Sequence, residues 1–262
     1  MRKITDERIY EPRVPPEEIF EASRLTGDAT LEDLESIRRR TSVYVYEAPV
    51  RIWHWVNALC ITILCITGYL IGAPLPSMDY SEATNQFVMG YIRFAHFGAG
   101  TVLSIGFLAR IYWAFVGNRH AWQMFYIPIF NLRYYREFLF ELRWYLFLEE
   151  EPKKYVGHNP LAHAAMFFFI TLGITFMMIT GWALYGEGAG QGSLPDTLFG
   201  WVLGIAQNSQ RIHTLHHLGM WAIVIFAIIH IYAAVREDVM SRQSMVSTMI
   251  SGFRTFKDDR IE

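Results

Sequence analysis

Cysteine is nearly absent from this chain: Cys60 and Cys65 are the only two in 262 residues. They lie five positions apart in one apolar run, where they cannot easily pair and read as small buried apolar residues. No Cys-x-x-Cys pair occurs, so the thiolate sets that hold nickel or iron–sulfur clusters are missing. Charge is also scarce, at 18% of residues against about 25% in ordinary soluble domains. The formal net charge of −2 gives bulk electrostatics no hold on nucleic acid, and none is expected as a partner. The first 42 residues are rich in charge and lack an apolar core segment, so no cleavable signal peptide is expected.

What the chain has instead is apolar surface. Hydrophobic residues make up 52% and aromatics 16%, and the excess collects in four runs. Ile52–Gly72, Leu161–Tyr185 and Ile212–Val235 are free of charge, and Phe94–Val116 is broken only by Arg110. A bilayer core about 30 Å thick needs about 20 apolar residues of helix. In lipid the backbone must satisfy its own hydrogen bonds, so such runs are helices. The expected fold is an all-α membrane protein, a four-transmembrane-helix bundle over residues 43–240. Residues 1–42 are expected as a charged cytoplasmic extension, in which "LEDLESIRRR" could form a short amphipathic helix, and residues 241–262 as a cytoplasmic tail.

The basic residues set the orientation. Nine Lys or Arg fall in residues 1–51, six between Gly117 and Pro160, and five after Val235. Only Arg93 and Arg211 fall in the first and third loops. By the positive-inside rule both termini and the middle loop face the cytoplasm. The chain is thus expected as a multi-pass protein of the bacterial inner membrane. The middle loop, "AWQMFYIPIFNLRYYREFLFELRWYLFL", mixes aromatics with arginines, which suits amphipathic helices lying in the interface. The outer stretch "LPDTLFGWVLGIA" reads either as a loop packed on the bundle or as a docking surface.

Nine histidines occur, and six sit within or at the edge of a span: His54, His96, His213, His216, His217 and His230. An ionisable side chain in a membrane is expensive and by default functional. His54 and His230 fall near the inner ends of runs one and four. His96 and His216 fall near the outer ends of runs two and four. Fourteen residues of helix make about four turns and about 21 Å of rise, so His216 and His230 share one face. Two histidines at each of two depths suit iron held between axial imidazoles. A closed zinc site would want four ligands at one level. His213 competes with His216 for the outer position. Gly100 and Gly219 are candidates for letting a flat ring approach, although glycine is also common in plain membrane-helix packing.

The stretches "VYEAPVRIWHWVNALC", "MGYIRFAHF", "RIYWAFVGNR", "ELRWYLFL", "GHNPLAHAAMFF", "ITGWALY", "HHLGMW" and "HIYAAVRED" carry a resemblance over about residues 43–257. The chain resembles the membrane cytochrome b subunits of uptake nickel–iron hydrogenases. More distantly it is similar to those of formate dehydrogenase and thiosulfate reductase. The resemblance implies two b-type haems with bis-histidine ligation, hydrogenase small and large subunits on the periplasmic face, and quinone as electron acceptor. By position His54, His96, His216 and His230 match the ligand histidines, with His213 the alternative to His216. Such a chain is the quinone-reactive electron-transfer subunit of an oxidoreductase, with hydrogen split elsewhere.

Given haems, Arg51, Arg93, Arg110 and Arg211 become candidate propionate partners, because guanidinium binds carboxylate bidentately. Interfacial anchoring, or snorkelling for Arg110, is the alternative. Quinone reduction takes up protons, so "GHNPLAH" at the inner start of run three is expected near the quinone. There His158 is a candidate donor or proton relay and Asn159 a candidate hydrogen-bond donor; simple helix initiation at Pro160 is the alternative. Two other readings stay open: the cytochrome b of a formate dehydrogenase or sulfur-compound reductase, and a haem-free transporter using histidines.

Overall fold

A computed structural model describes residues 9–10, 41–74, 87–153, 155–241 and 243–256. Four helices are long and apolar enough to cross a membrane: α1 (Ala48–Gly72), α2 (Val88–Val116), α5 (Pro160–Ala189) and α8 (Ser209–Met240). Each covers its apolar run and continues beyond it. Pro49 stands in the first turn of α1, where its missing N–H is no loss. The Asn159 side chain accepts from the Ala162 N–H, and the Asn208 side chain from the Gln210 N–H, so both helices start at a cap outside the lipid-soluble stretch. At 32 residues α8 is about 48 Å long, well beyond the hydrocarbon core.

The bundle is inverted relative to a soluble protein. Asn57, Thr67, Ser104, Arg110 and Thr180 are buried, while Ile52, Leu59, Ile105 and Ile228 are exposed and Phe94 is 77% exposed. Inside, Cys60, Leu103, Phe107, Ile170, Ile174 and Phe226 form an apolar core shared by all four helices. Both cysteines are free. Polar contacts add to helix–helix packing: Trp182 Nε1 on α5 donates to Ser104 Oγ on α2 at 3.0 Å. A π-helical turn, Met166–Leu172, interrupts α5. Within it the Thr171 hydroxyl donates to the Met124 carbonyl at 2.6 Å, and Phe169 stacks on Phe226 of α8.

The middle loop folds as α3 (Arg119–Trp122), a 3₁₀ turn at Gln123–Phe125, and α4 (Leu132–Tyr145). In α4 the buried side chains are Glu141 and Trp144, while Leu132 and Leu139 are exposed. Its outward side mixes these apolar residues with the exposed Arg133, Arg136 and Arg143, as suits a helix at a membrane interface. The outer stretch forms α6 (Leu194–Phe199) and α7 (Trp201–Ala206). Val202 packs with Ala183 and Ile212, and with Phe199 and Leu203 around them. Leu194, Leu198, Trp201 and Ile205 stay exposed.

The expected C-terminal tail is folded as far as Phe256. After α8 come α9 (Met245–Ser251) and β3 (Phe253–Phe256). β3 pairs antiparallel with β2 (Thr41–Tyr44), Thr41 opposite Phe256 and Tyr44 opposite Phe253. β1 (Ile9–Tyr10) pairs with the other edge of β2. The start of α1 and the end of α8 are thereby fixed at the same end of the bundle. Gly252 makes the turn: its φ is +88°, and a Cβ there would lie 2.6 Å from the Tyr46 carbonyl oxygen. The rest of the expected N-terminal extension, including "LEDLESIRRR", lies outside the described residues.

Candidate functional site

Two histidine pairs stand at opposite ends of the bundle, and α8 supplies one member of each. Toward the end remote from the sheet, His96 of α2 and His216 of α8 have ring centroids 6.4 Å apart. At the sheet end, His54 of α1 and His230 of α8 have centroids 6.3 Å apart. A metal–imidazole bond is about 2 Å and the ring centre lies about 1 Å behind its nitrogen, so two imidazoles across one metal atom are about 6 Å apart, centre to centre. Both pairs have that separation. His213 is exposed, and its Nδ1 lies 3.1 Å from the Ser209 carbonyl one turn back on its own helix. His217 packs instead against Gly72 and Trp221.

The two levels are built differently. At the level remote from the sheet Thr67 Oγ1 is 2.9 Å from His96 Nδ1, and Thr180 Oγ1 is 2.8 Å from His216 Nδ1. The glycine after each threonine faces the same ring: a Cβ on Gly68 would be 3.3 Å from His96 Cε1, and one on Gly181 3.2 Å from His216 Cε1. These are the glycines at the histidines. Gly100 meets only Leu64, and Gly219 is tight against Met177, so those two serve helix packing. At the sheet-end level the His230 ring stacks on Phe226, 5.6 Å apart and 19° from parallel, and His54 Nδ1 is buried with no hydrogen-bond partner.

Of the four sequence-picked arginines, Arg93 and Arg211 are exposed, and Arg51 Nη1 donates to the Ile250 carbonyl. Arg110 is the buried one, at 3% exposure. Its Nη2 donates to the Ala121 carbonyl at 2.6 Å, while Nε and Nη1 are buried without partners. Its guanidinium lies 5.6 Å from the centre of the Trp53 ring, next in sequence to His54. Sequence reasoning missed Arg254, 2% exposed, which reaches from β3 to donate to the Tyr155 and Gly157 carbonyls at 3.1 and 2.9 Å. Nothing local marks it, because its burial depends on strand pairing across the whole chain.

His158 sits beside this sheet-end level. Its ring nitrogens are 3.4 Å from the Tyr46 hydroxyl, and Nδ1 is 3.3 Å from Gln123 Oε1. Desolvation, then the charge of Arg254 and of neighbouring histidines, pushes its pKa down to about 3. This favours the neutral imidazole near pH 7. Asn159 beside it is 6% exposed; its Oδ1 caps α5 through the Ala162 N–H at 2.7 Å, and its Nδ2 donates to Glu141 Oε2 at 3.0 Å.

Comparison with known proteins places this geometry. The family model for prokaryotic cytochrome b561 matches residues 45–252. The chain belongs to the prokaryotic cytochrome b561 family. Among its b561 relatives, a Rhodobacter capsulatus protein described as a probable Ni/Fe-hydrogenase B-type cytochrome subunit is 83% identical over 262 residues, all of both chains. An Azotobacter vinelandii protein of the same description is 58% identical over 241 residues, covering 92% of this chain and 98% of its own. A probable Ni/Fe-hydrogenase 1 B-type cytochrome subunit of Escherichia coli K12 is 48% identical over 225 residues, 84% of this chain and 94% of its own. A b561 cytochrome holds haem b, and the residues here fit that group. Each facing pair offers two axial imidazoles, and Arg110 offers unpaired donors of the kind a propionate takes. Among the described residues no three His, Cys, Asp or Glu side chains converge on one metal position.

Proposed function

We propose that this chain is the dihaem membrane anchor of a nickel–iron hydrogenase and carries electrons from hydrogen oxidation across the bacterial inner membrane to quinone. The observation that carries the reading is the use of one helix, α8, for a histidine of both facing pairs. His96 and His216 hold the outer haem, and His54 and His230 the inner one. Haem, when bound, supplies one-electron carriage between its ferric and ferrous states. The descriptions of the relatives support a hydrogenase as partner; in this reading its small and large subunits sit on the periplasmic face. Both termini lie in the cytoplasm, in line with the distribution of Lys and Arg.

The chain's own residues then have separable tasks. α8 fixes the two levels about 21 Å apart along its axis. The apolar core of Phe107, Ile170, Ile174 and Phe226 keeps water out of the space between them. Arg110 holds a propionate of the inner haem. His158, neutral and flanked by Tyr46 and Gln123, hydrogen-bonds a quinone carbonyl at the cytoplasmic end. The exposed apolar side chains of α6 and α7 at the outer end are available to the partner.

Haem content tests the ligand set. The complex purified with its hydrogenase subunits should contain two b-type haems per copy of this chain by pyridine haemochrome assay. His96→Ala or His216→Ala should remove one, His54→Ala or His230→Ala the other, and His213→Ala neither. Two haems in His216→Ala together with one in His213→Ala would overturn the outer assignment. Absence of hydrogenase subunits from the purified wild-type complex would overturn the partner.

A further inference from the structure

The tetrapeptide Ile-Thr-Gly-aromatic occurs twice: Ile66-Thr67-Gly68-Tyr69 on α1 and Ile179-Thr180-Gly181-Trp182 on α5. The two copies meet at one place, on either side of the outer histidine pair. α1 brings Thr67 and Gly68 to His96 of α2, and α5 brings Thr180 and Gly181 to His216 of α8. Each half of the bundle therefore contributes the same set: a histidine from one span and a Thr-Gly from the span before it.

The hydrogen bonds fix where the protons are. The Thr67 hydroxyl lies 2.6 Å from the Ile63 carbonyl oxygen, which can only accept. Its single proton is committed there, so in the 2.9 Å contact with His96 the imidazole Nδ1–H must donate to Oγ1. The same holds on the other side. Thr180 Oγ1 donates to the Phe176 carbonyl at 2.8 Å and accepts from His216 Nδ1 at 2.8 Å. Both histidines thus carry the proton on Nδ1 and keep the Nε2 lone pair free. The glycine that follows lets the Cε1 edge of each ring sit where a methyl group would crowd it.

We propose that Thr67 and Thr180 are a matched pair of positioning residues for the outer haem, which fix the tautomer and plane of His96 and His216 and lower the potential of that haem alone. This rests on the dihaem reading above. A hydrogen bond to the remote N–H of a ligating histidine orients the ring and raises its basicity, and a more basic ligand favours ferric over ferrous iron. The inner pair has no such arrangement, since His54 Nδ1 is buried without a partner. The two haems are thereby set apart by two hydroxyl groups.

The test is optical redox titration and low-temperature electron paramagnetic resonance on the purified hydrogenase–cytochrome complex, wild type first. The variants are Thr67→Val and Thr180→Val, which keep the shape and remove the acceptor, and Thr67→Ser and Thr180→Ser, which restore it. In each Val variant one b component should move to higher potential and its ferric g-values should change, while the other component stays put. The Ser variants should return to wild type. Loss of only the outer haem in a Val variant, with retention in Ser, equally supports the proposal. Unchanged potentials and g-values in both Val variants, a shift confined to the inner component, or equal damage in Val and Ser would overturn it. A wild-type complex with one b component or none would instead overturn the dihaem reading on which the proposal rests.

Discussion

Asn159 Nδ2 donates to Glu141 Oε2 at 3.0 Å and ties the interfacial helix α4 to the cap of α5. Glu141 is 2% exposed and shares its surroundings with Glu237, which accepts from Trp144 Nε1 at 2.9 Å. Desolvation first, then the charge of Glu237, raises the Glu141 pKa from 4.5 to about 7. Between those values the folded chain keeps a proton that the unfolded chain has released. Stability therefore falls as pH rises through that window, and the loss is complete above about 7. Glu141→Gln should flatten this part of the profile. Thermal unfolding of the detergent-solubilised complex from pH 5 to 8 measures it, and an unchanged slope in the variant would refute the assignment.

Much of this architecture is written in local sequence, because a membrane span needs only a long apolar run, and all four were legible that way. The ends were not. Hydropathy stops at the lipid boundary, whereas the helices run on to Asn159 and Asn208, whose caps decide where they begin. Depth and helical phase pointed to His54 with His230 and His96 with His216, but left His213 open as the alternative at the second level. Thr67 and Thr180 went unread because a hydroxyl in a span is ordinary, bonding its own helix as Thr101 does to the Phe97 carbonyl. The repeated Ile-Thr-Gly-aromatic was the available signal. The β2–β3 pairing and Arg254 had none, since the paired strands lie some two hundred residues apart and the partners of Arg254 some one hundred away.

Arg110 gives a second prediction. A buried guanidinium with Nε and Nη1 unpaired is costly unless an anion meets it, and under the proposed function a propionate of the haem at His54 would be that anion. Arg110→Met removes charge and donors; Arg110→Lys keeps the charge and loses the planar fork. The inner b component should shift to lower potential in Met, since a positive charge that favoured the ferrous state is gone, and by less in Lys. Loss of a charge-assisted hydrogen bond of about 1.5–3 kcal/mol should also weaken haem retention tenfold or more in Met. Potentials equal to wild type in both variants would dismiss the propionate contact.

Orientation can be read directly. β2–β3 pairing holds both described ends on one side of the bundle, and the Lys and Arg distribution supports the proposal that this side is cytoplasmic. Alkaline phosphatase, active only in the periplasm, should be silent when fused after Glu262 and active when inserted near Gly190. The reverse pattern would invert the path of the electrons.

His158 gives the last prediction, and its protonation state decides the form. Desolvation and the Arg254 charge hold its pKa at about 3, so from pH 6 to 8 the imidazole is neutral and acts by hydrogen bonding. His158→Ala should leave both haem spectra intact and their reduction by hydrogen unchanged. Quinone reduction should fall at least tenfold, about 1.4 kcal/mol of barrier. Because no proton is bound or released by His158 across this range, the loss should be the same at pH 6, 7 and 8. His158→Gln keeps an uncharged donor and acceptor near Tyr46 and Gln123, and should recover most of the rate. Steady-state quinone reduction with hydrogen as donor, measured at the three pH values, gives all of these at once. A deficit that grows or shrinks with pH would mean that the imidazole titrates during turnover, and normal turnover in His158→Ala would place the quinone elsewhere.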